Sequence, residues 1–275
     1  MSRVLNEAMT HNGRFHTDDV FSAALLKILN PQIKIERKNA VPEGYSGLVF
    51  DLGEGIFDHH GERSSFRDNG VQYASFGLLW KEYGHTLVSE KEALIFDESF
   101  VQPLDIQDNN GGNNLLCRAI TQMNPKWDEE IDFDQCFFKA VDMAAIILTN
   151  EIKSMRSTEH AEATVLSCLE NQKNGIVVIP KGMPWKSILI PSDALYVVFP
   201  SPRGGYNAQA VPKDVSTQEC KLSFPQEWRG KREELSEVTG INGITFCHLH
   251  GYLLGAETEE AAIEACKLSI QKGGD

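Results

Sequence analysis

Apolar and polar positions along the chain fall into stretches of different period. Val4–Met9 is an apolar segment that leads into Thr10-His11-Asn12-Gly13-Arg14-Phe15-His16-Thr17-Asp18-Asp19. From there the period turns helical: Val20, Phe21, Ala24, Leu25, Ile28 and Leu29 form one stripe to about Asn30, with two acids at the positive end and Pro31 after the stop. Ile33-Lys34-Ile35-Glu36-Arg37 alternates as a strand, and Gly47-Leu48-Val49-Phe50 reads as a short buried strand ending at Asp51. Strand, helix, strand, strand in this order predicts an α/β sheet, whose functional groups sit at the carboxyl ends of the strands. Tyr73 to Glu170 is mostly helical in pattern, as in Phe76–Trp80 and Ala140–Ile147. One interruption, Leu104-Asp105-Ile106-Gln107-Asp108-Asn109-Asn110-Gly111-Gly112, is a helix that ends in acids and glycines and points carboxylates into a cleft. After Gln172-Lys173-Asn174-Gly175 strands are predicted at Ile176–Ile179, Ala194–Pro200 and Tyr206–Pro212, so the boundary is placed at 172. The expected architecture is α/β: residues 1–172 with a mainly parallel sheet flanked by helices, residues 173–275 as a smaller α+β domain, and the active site in the cleft between them.

Composition narrows the class. A chain of 275 residues can form two cores, and 41% hydrophobic with 24% charged residues is ordinary for a globular protein. No apolar run reaches the roughly 18 residues of a membrane span. Met1-Ser2-Arg3-Val4-Leu5-Asn6-Glu7 has no apolar signal core and carries an early acid, which predicts a cytoplasmic protein. Six cysteines without a Cys-x-x-Cys pair predict reduced, structural thiols. The net charge of −13 lowers the prior for a polyanion substrate. It is uneven: residues 1–175 hold 16 Lys+Arg against 27 Asp+Glu, residues 176–275 hold 10 against 12. The oligomeric state is open, with a homodimer one option.

Four of the eight histidines lie in two clusters, His11 and His16 in the first and His59 and His60 in Asp58-His59-His60. Histidines that serve packing or solubility should scatter, whereas two divalent ions need imidazole and carboxylate gathered from several loops. Without a cation, Asp18, Asp51, Asp58 and Asp105 would repel one another and take up protons. The residues therefore read as a two-metal hydrolase, with Asp51 bridging the ions and His11, His16, Asp18, His59 and Asp105 completing the two shells.

Asp58-His59-His60, preceded by Asp51 and followed by Asp105, resembles the DHH phosphoesterase superfamily. The segments Thr10–Asp19, Asp105–Asn109, Trp228-Arg229-Gly230 and Phe246-Cys247-His248-Leu249-His250-Gly251-Tyr252 resemble a narrower branch, the melanocyte proliferating gene protein family, over almost the whole chain. The resemblance implies a DHH-type catalytic domain and two divalent ions, Mn2+ foremost with Mg2+, Co2+ or Zn2+ as substitutes. It further implies phosphodiester hydrolysis as a 3′→5′ exonuclease on RNA or short oligonucleotides. By position it assigns His11, His16 and Asp51 to one ion and Asp18, Asp51, His59 and Asp105 to the other. Asp51 and His60 become the catalytic pair, with His60 facing the substrate and Asp58 orienting His59. His16 stands where relatives carry an aspartate. His248, and Arg203 in its glycine turn, are the expected substrate contacts, alongside a basic patch at Trp228–Arg232. Two other readings stay open: hydrolysis of a small phosphoanhydride or cyclic dinucleotide, and a metal-stabilised regulatory protein that turns over nothing.

Overall fold

The computed structural model describes residues 6–53, 55–60, 64–217, 219–232 and 234–273. Val4 and Leu5 of the predicted apolar segment lie outside them. The chain forms two compact units, residues 1–155 and 156–275, with the division inside one long helix.

In the first unit β1 (Glu7–His11), α1 (Thr17–Leu29), β2 (Lys34–Lys38) and β3 (Leu48–Val49) follow the predicted order. The three strands are parallel in the order β2-β1-β3. Helices α2 (Ser75–Tyr83), α3 (Glu90–Phe96), α4 (Gln102–Asn110) and α5 (Leu115–Thr121) come next, then α6 (Phe133–Glu170). A π-helical turn, Asp97–Val101, joins α3 to α4. Every residue of α1 from Thr17 to Leu26 is buried, because the helix lies among α2, α4 and α5 as well as beside the sheet. Phe21 packs 5.4 Å from the Phe76 ring and 5.6 Å from Phe100. Burial all round is why the apolar stripe looks broad in the sequence.

The second unit holds β4 (Ile176–Val178), α7 (Lys186–Leu189), β5 (Tyr196–Pro200), β6 (Tyr206–Ala210), α8 (Leu235–Thr239), β7 (Ile244–Cys247), β8 (Leu253–Ala256) and α9 (Glu259–Lys272). Its sheet is mixed, in the order β4-β5-β6-β8-β7, with only β4 and β5 parallel. One apolar cluster packs α9, through Ala262, Ala265 and Cys266, with Tyr196, Ala208, Leu254 and the fully buried Trp228. A second cluster gathers Val165 of α6 with Val177, Trp185, Leu189 and Val197. No disulfide joins the described residues, and among them no helix is long and apolar enough to cross a membrane.

Candidate metal centre

Strand order builds the site. The chain leaves β1 to one side for β2 and returns to the other for β3, so the carboxyl ends of β1 and β3 flank a point where the winding reverses. Ligands of open parallel sheets bind at such points. His11 ends β1, and Asp51 follows the bridge residue Phe50 after β3. Asp51 turns into the left-handed region at φ 49°, which is uncommon for a residue other than glycine and points to a functional constraint. Its backbone N–H donates to the Phe57 carbonyl (3.1 Å), and Phe57 pairs with Phe50. This short return loop delivers Asp58-His59-His60 beside Asp51.

The first histidine cluster is shaped by the start of α1. The His16 backbone N–H donates to Asp19 Oδ1 (2.9 Å), which leaves Asp19 Oδ2 facing His11 Nε2 at 3.1 Å. Asp18 and Asp19, both completely buried, occupy the first turn, where the helix dipole favours negative charge. Consecutive residues of a helix diverge by about 100°. Asp19 therefore joins His11, while Asp18 joins His16 and Asp108. Arg37 pins the loop between them: its guanidinium donates to the Gly13 carbonyl and to Asp134, both at 2.8 Å, and lies over the Phe137 ring.

Asp51 stands between two donor groups. Its Oδ2 lies 3.3 Å from His11 Nε2, and its Oδ1 lies 3.2 Å from His59 Nε2 and 3.6 Å from His60 Nδ1. His59 Nε2 also approaches Asp108 Oδ2 (3.4 Å) and Asp18 Oδ2 (3.6 Å). Three sets of possible ligands result among the described residues: His11, Asp19 and Asp51; Asp51, His59 and His60; His16, Asp18 and Asp108.

Buried carboxylates and imidazoles shift one another's protonation here. Burial, then the charges of Asp51 and Asp108, push the Asp18 carboxyl well above its usual range. Burial also raises Asp19, against the pull of His11. Burial opposes protonation of His11, but Asp19 and Asp51 outweigh it and raise the imidazole to about 10. His59 rises for the same reason, through Asp51 and Asp108. Asp51 itself is lowered: burial works against ionisation, and the two imidazoles overcome it. Both oxygens of Asp18, Asp19 Oδ2, Asp51 Oδ1 and His59 Nε2 are buried yet meet no partner in hydrogen-bond geometry. Buried polar atoms are rarely left so. Imidazole and carboxylate donors facing a shared space fit Mn2+, Mg2+ or Zn2+.

Of the sequence-predicted ligands, His11, His16, Asp18, Asp51 and His59 come together, whereas Asp105 belongs to none of the three sets. Asp105 is completely buried and pairs with Arg67 (2.8 Å), which also forks onto Asp97 through two 2.7 Å hydrogen bonds. Burial pushes the Asp105 carboxyl up to about 7 even against Arg67. One turn further along α4, Asp108 reaches the cluster instead; it stands in the same motif and is the acid that sequence reasoning passed over. Asp19, adjacent to Asp18, was the other. Asp58, expected to orient His59, holds His60: its Oδ1 accepts from the His60 ring (Nδ1, 2.7 Å) and backbone (3.1 Å).

Asn109 holds His59. The Asn109 amide donates through Nδ2 to the carbonyls of Asp105 (3.0 Å) and Tyr73 (3.3 Å), so its Oδ1 accepts from His59 Nδ1 at 3.1 Å. That hydrogen bond keeps the Nδ1 proton in place and aims the Nε2 lone pair at the carboxylates.

Gly77 leaves room for the Asp105–Arg67 pair, since a Cβ there would come to 2.0 Å from Asp105 Oδ2 and 2.8 Å from Arg67 Nη2. Gly77→Ala is therefore expected to cost about 1–3 kcal/mol of stability by overpacking. Denaturant unfolding measures it, and an unchanged midpoint would show that the pair can move aside.

The cluster opens on a cavity of about 690 Å3 lined by His16, His59, His60, Asp108 and Arg118, among others. His16 and His60 are its exposed histidines, and 66% of the His60 side chain is accessible. In the second unit, exposed Arg203 lies in the turn between β5 and β6 and lines a separate depression of about 660 Å3. His248 is half-buried, accepts the His250 backbone N–H on Nδ1 (3.2 Å) and packs 4.2 Å from the Tyr252 ring. The basic patch loses its aromatic member, because Trp228 is buried in the core. Glu233, beside that patch, lies outside the described residues.

The family model MYG1_exonuc, described as Uncharacterised protein family (UPF0160), matches residues 7–270. The chain is similar to a MYG1 protein of Saccharomyces cerevisiae, 28% identical over 98% of this chain and 97% of that one. It is also similar to proteins named MYG1 exonuclease from Rattus norvegicus, 26% identical over 95% and 84% of the two chains, and from Homo sapiens, 26% identical over 95% and 85%. No solved structure matches.

Proposed function

Because the chain belongs to the MYG1_exonuc family (UPF0160), we propose that it is a divalent-metal-dependent phosphodiesterase of DHH type, a 3′→5′ exonuclease on RNA or short oligonucleotides. The naming of the rat and human relatives as exonucleases supports a nuclease. The observation that carries the metal chemistry is the Asp51 carboxylate, one oxygen toward His11 and the other toward His59.

Two ions, with Mn2+ the preferred pair, would be held by His11, Asp19 and Asp51 on one side and by Asp51, His59, Asp18 and Asp108 on the other, with His16 beside Asp18 and Asp108. Bound there, such ions polarise phosphoryl oxygens and make a water molecule acidic enough to attack near neutral pH. Asp51 joins the two halves and fixes their spacing. His60, with its Nδ1 proton given to Asp58, keeps Nε2 for a substrate oxygen in the cavity. Asp105 and Arg67 hold α4, and with it Asp108 and Asn109, at the required height. Arg203 and His248 are proposed as substrate contacts in the second unit, whose balance of 10 Lys+Arg against 12 Asp+Glu is milder toward a polyanion.

The test is hydrolysis of single-stranded RNA, inorganic pyrophosphate and a cyclic dinucleotide, with and without Mn2+. The reading expects RNA shortened from its 3′ end only with metal present. Turnover of pyrophosphate or the cyclic dinucleotide alone moves the small-substrate alternative ahead, and no turnover at all leaves a regulatory protein.

Asn109→Leu should weaken Mn2+ binding about 10- to 100-fold, the range for loss of a residue that orients a metal-bound histidine. Titration calorimetry reads the affinity. Nitrogen NMR of the Zn2+-loaded protein, where a bound His59 must be neutral, reads the His59 tautomer. Unchanged affinity and tautomer would remove Asn109 from the site.

A further inference from the structure

The cavity beside the metal centre has a second wall with a different chemistry. Helix α5 is fixed by its core face, where Ile120 is completely buried and Cys117 nearly so. Leu115, Arg118 and Gln122 recur at a spacing that puts them on one side of a helix, and all three line the cavity. This wall is tied to the metal-side loop at two places. Asn124 clamps the Phe15 backbone from both sides, accepting from its N–H (3.0 Å) and donating to its carbonyl (2.8 Å). The Thr17 hydroxyl, between His16 and Asp18, donates to the Cys117 carbonyl (3.4 Å).

Two features of the wall are unexplained by folding. Arg118 is exposed, makes no ion pair or hydrogen bond through its guanidinium among the described residues, and is the one Lys or Arg among those lining the cavity. The centre opposite it is rich in carboxylates, yet Arg118 pairs with none of them. Leu115 leaves 79% of its surface to solvent and lines a cavity whose other residues are mostly polar. Asn113 and Gln122 supply amides, which can meet the edge of a planar heterocycle.

We propose that the α5 wall is a subsite for the terminal nucleotide of a single strand. Arg118 takes a phosphate next to the one at the metal centre, Leu115 lies against a base face, and the amides of Asn113 and Gln122 meet the base edge. This rests on the phosphodiesterase reading and deepens it. Free phosphate needs the guanidinium but has no use for Leu115, and a duplex end would have to unpair before a single base could lie against it. About 690 Å3 suits one or two nucleotides, within the usual range of small-ligand sites.

The test uses the full chain with Mn2+, a single-stranded RNA oligonucleotide and inorganic pyrophosphate. Steady-state kinetics are accompanied by equilibrium binding of the same oligonucleotide with phosphorothioate linkages that slow cleavage. Arg118→Ala should raise the KM for RNA about tenfold, and Arg118→Glu further, as loss of a charged phosphate contact does. The slope of log affinity against log salt should flatten by about 0.7, one single-strand phosphate contact. Leu115→Ala should raise the KM several-fold for RNA and leave the equilibrium binding of pyrophosphate unchanged, while Leu115→Phe, a better stacking surface, should hold or lower the KM. The inference is overturned if Arg118→Ala and Arg118→Glu both stay within about twofold of the parent with an unchanged salt slope. It is equally overturned if Leu115→Ala affects RNA and pyrophosphate alike. Should the parent cleave no phosphodiester, the proposed function fails by itself, and the binding measurements still decide the subsite.

Discussion

Asp51→Asn is expected to lower metal-dependent hydrolysis by more than about a hundredfold, roughly 2.7 kcal/mol of barrier, in a chain that still folds. An amide has one acceptor oxygen and no charge, so it can serve His11's side or His59's side but cannot join two cations. The backbone argument protects the fold: Asp51 sits at φ 49°, and asparagine is among the few residues that adopt this region readily. Its backbone N–H still meets the Phe57 carbonyl. Rates on single-stranded RNA, elemental analysis for bound metal and far-UV circular dichroism check it together. A folded variant that keeps more than about a tenth of the activity contradicts the bridging role.

The second large effect runs the other way. Asp18→Asn should stabilise the metal-free protein by about 1–3 kcal/mol while abolishing most of the stabilisation that Mn2+ confers. Asp18 is completely buried, and neither of its oxygens is hydrogen-bonded. Burial and then Asp51 hold its carboxyl well above the usual range. A carboxyl raised in the folded state contributes stability that is complete below its unfolded value, near pH 3.8, and is lost as the pH rises through the folded value. The asparagine variant carries no such loss, so the gap between the two metal-free proteins should widen with rising pH. Metal reverses the ranking, because only the carboxylate gains from the cation and a ligand stabilises the state it binds. Thermal melts at two pH values, each with and without Mn2+, measure all four terms. An Asp18→Asn variant less stable than the parent without metal at pH 8 would mean that the carboxylate has a partner in solution.

Local pattern carried much of this fold and site. The periods of α1, β2 and β3 are written in the order of apolar residues, and His11, His16, Asp18, Asp51 and His59 announce themselves as two dense clusters. Helix length, capping and donor chemistry are short-range properties, so a sequence displays them. The family was legible too, because its motifs are long and spread from Thr10 to Tyr252, and the family model bears it out. The strands β7 and β8 and the helix α9 were not read from the pattern. The strands belong to a mixed sheet whose order, β4-β5-β6-β8-β7, is set by non-local pairing.

What only the tertiary structure decided was which of several chemically equal residues reaches the candidate metal centre. Asp105 and Asp108 sit a turn apart on one helix, and either could ligate. Arg67, held on Asp97, claims Asp105 and leaves Asp108 to face His59. Asp18 and Asp19 are equivalent in the sequence and are separated by the helical rotation between neighbours. Asp58 goes to His60 and Asn109 to His59, because a return loop and a helix end arrive at the same place from distant parts of the chain. Donor types are local and survive in the sequence; the choice among them depends on ion pairs and amide contacts made across tens of residues, which exist only once the chain has closed.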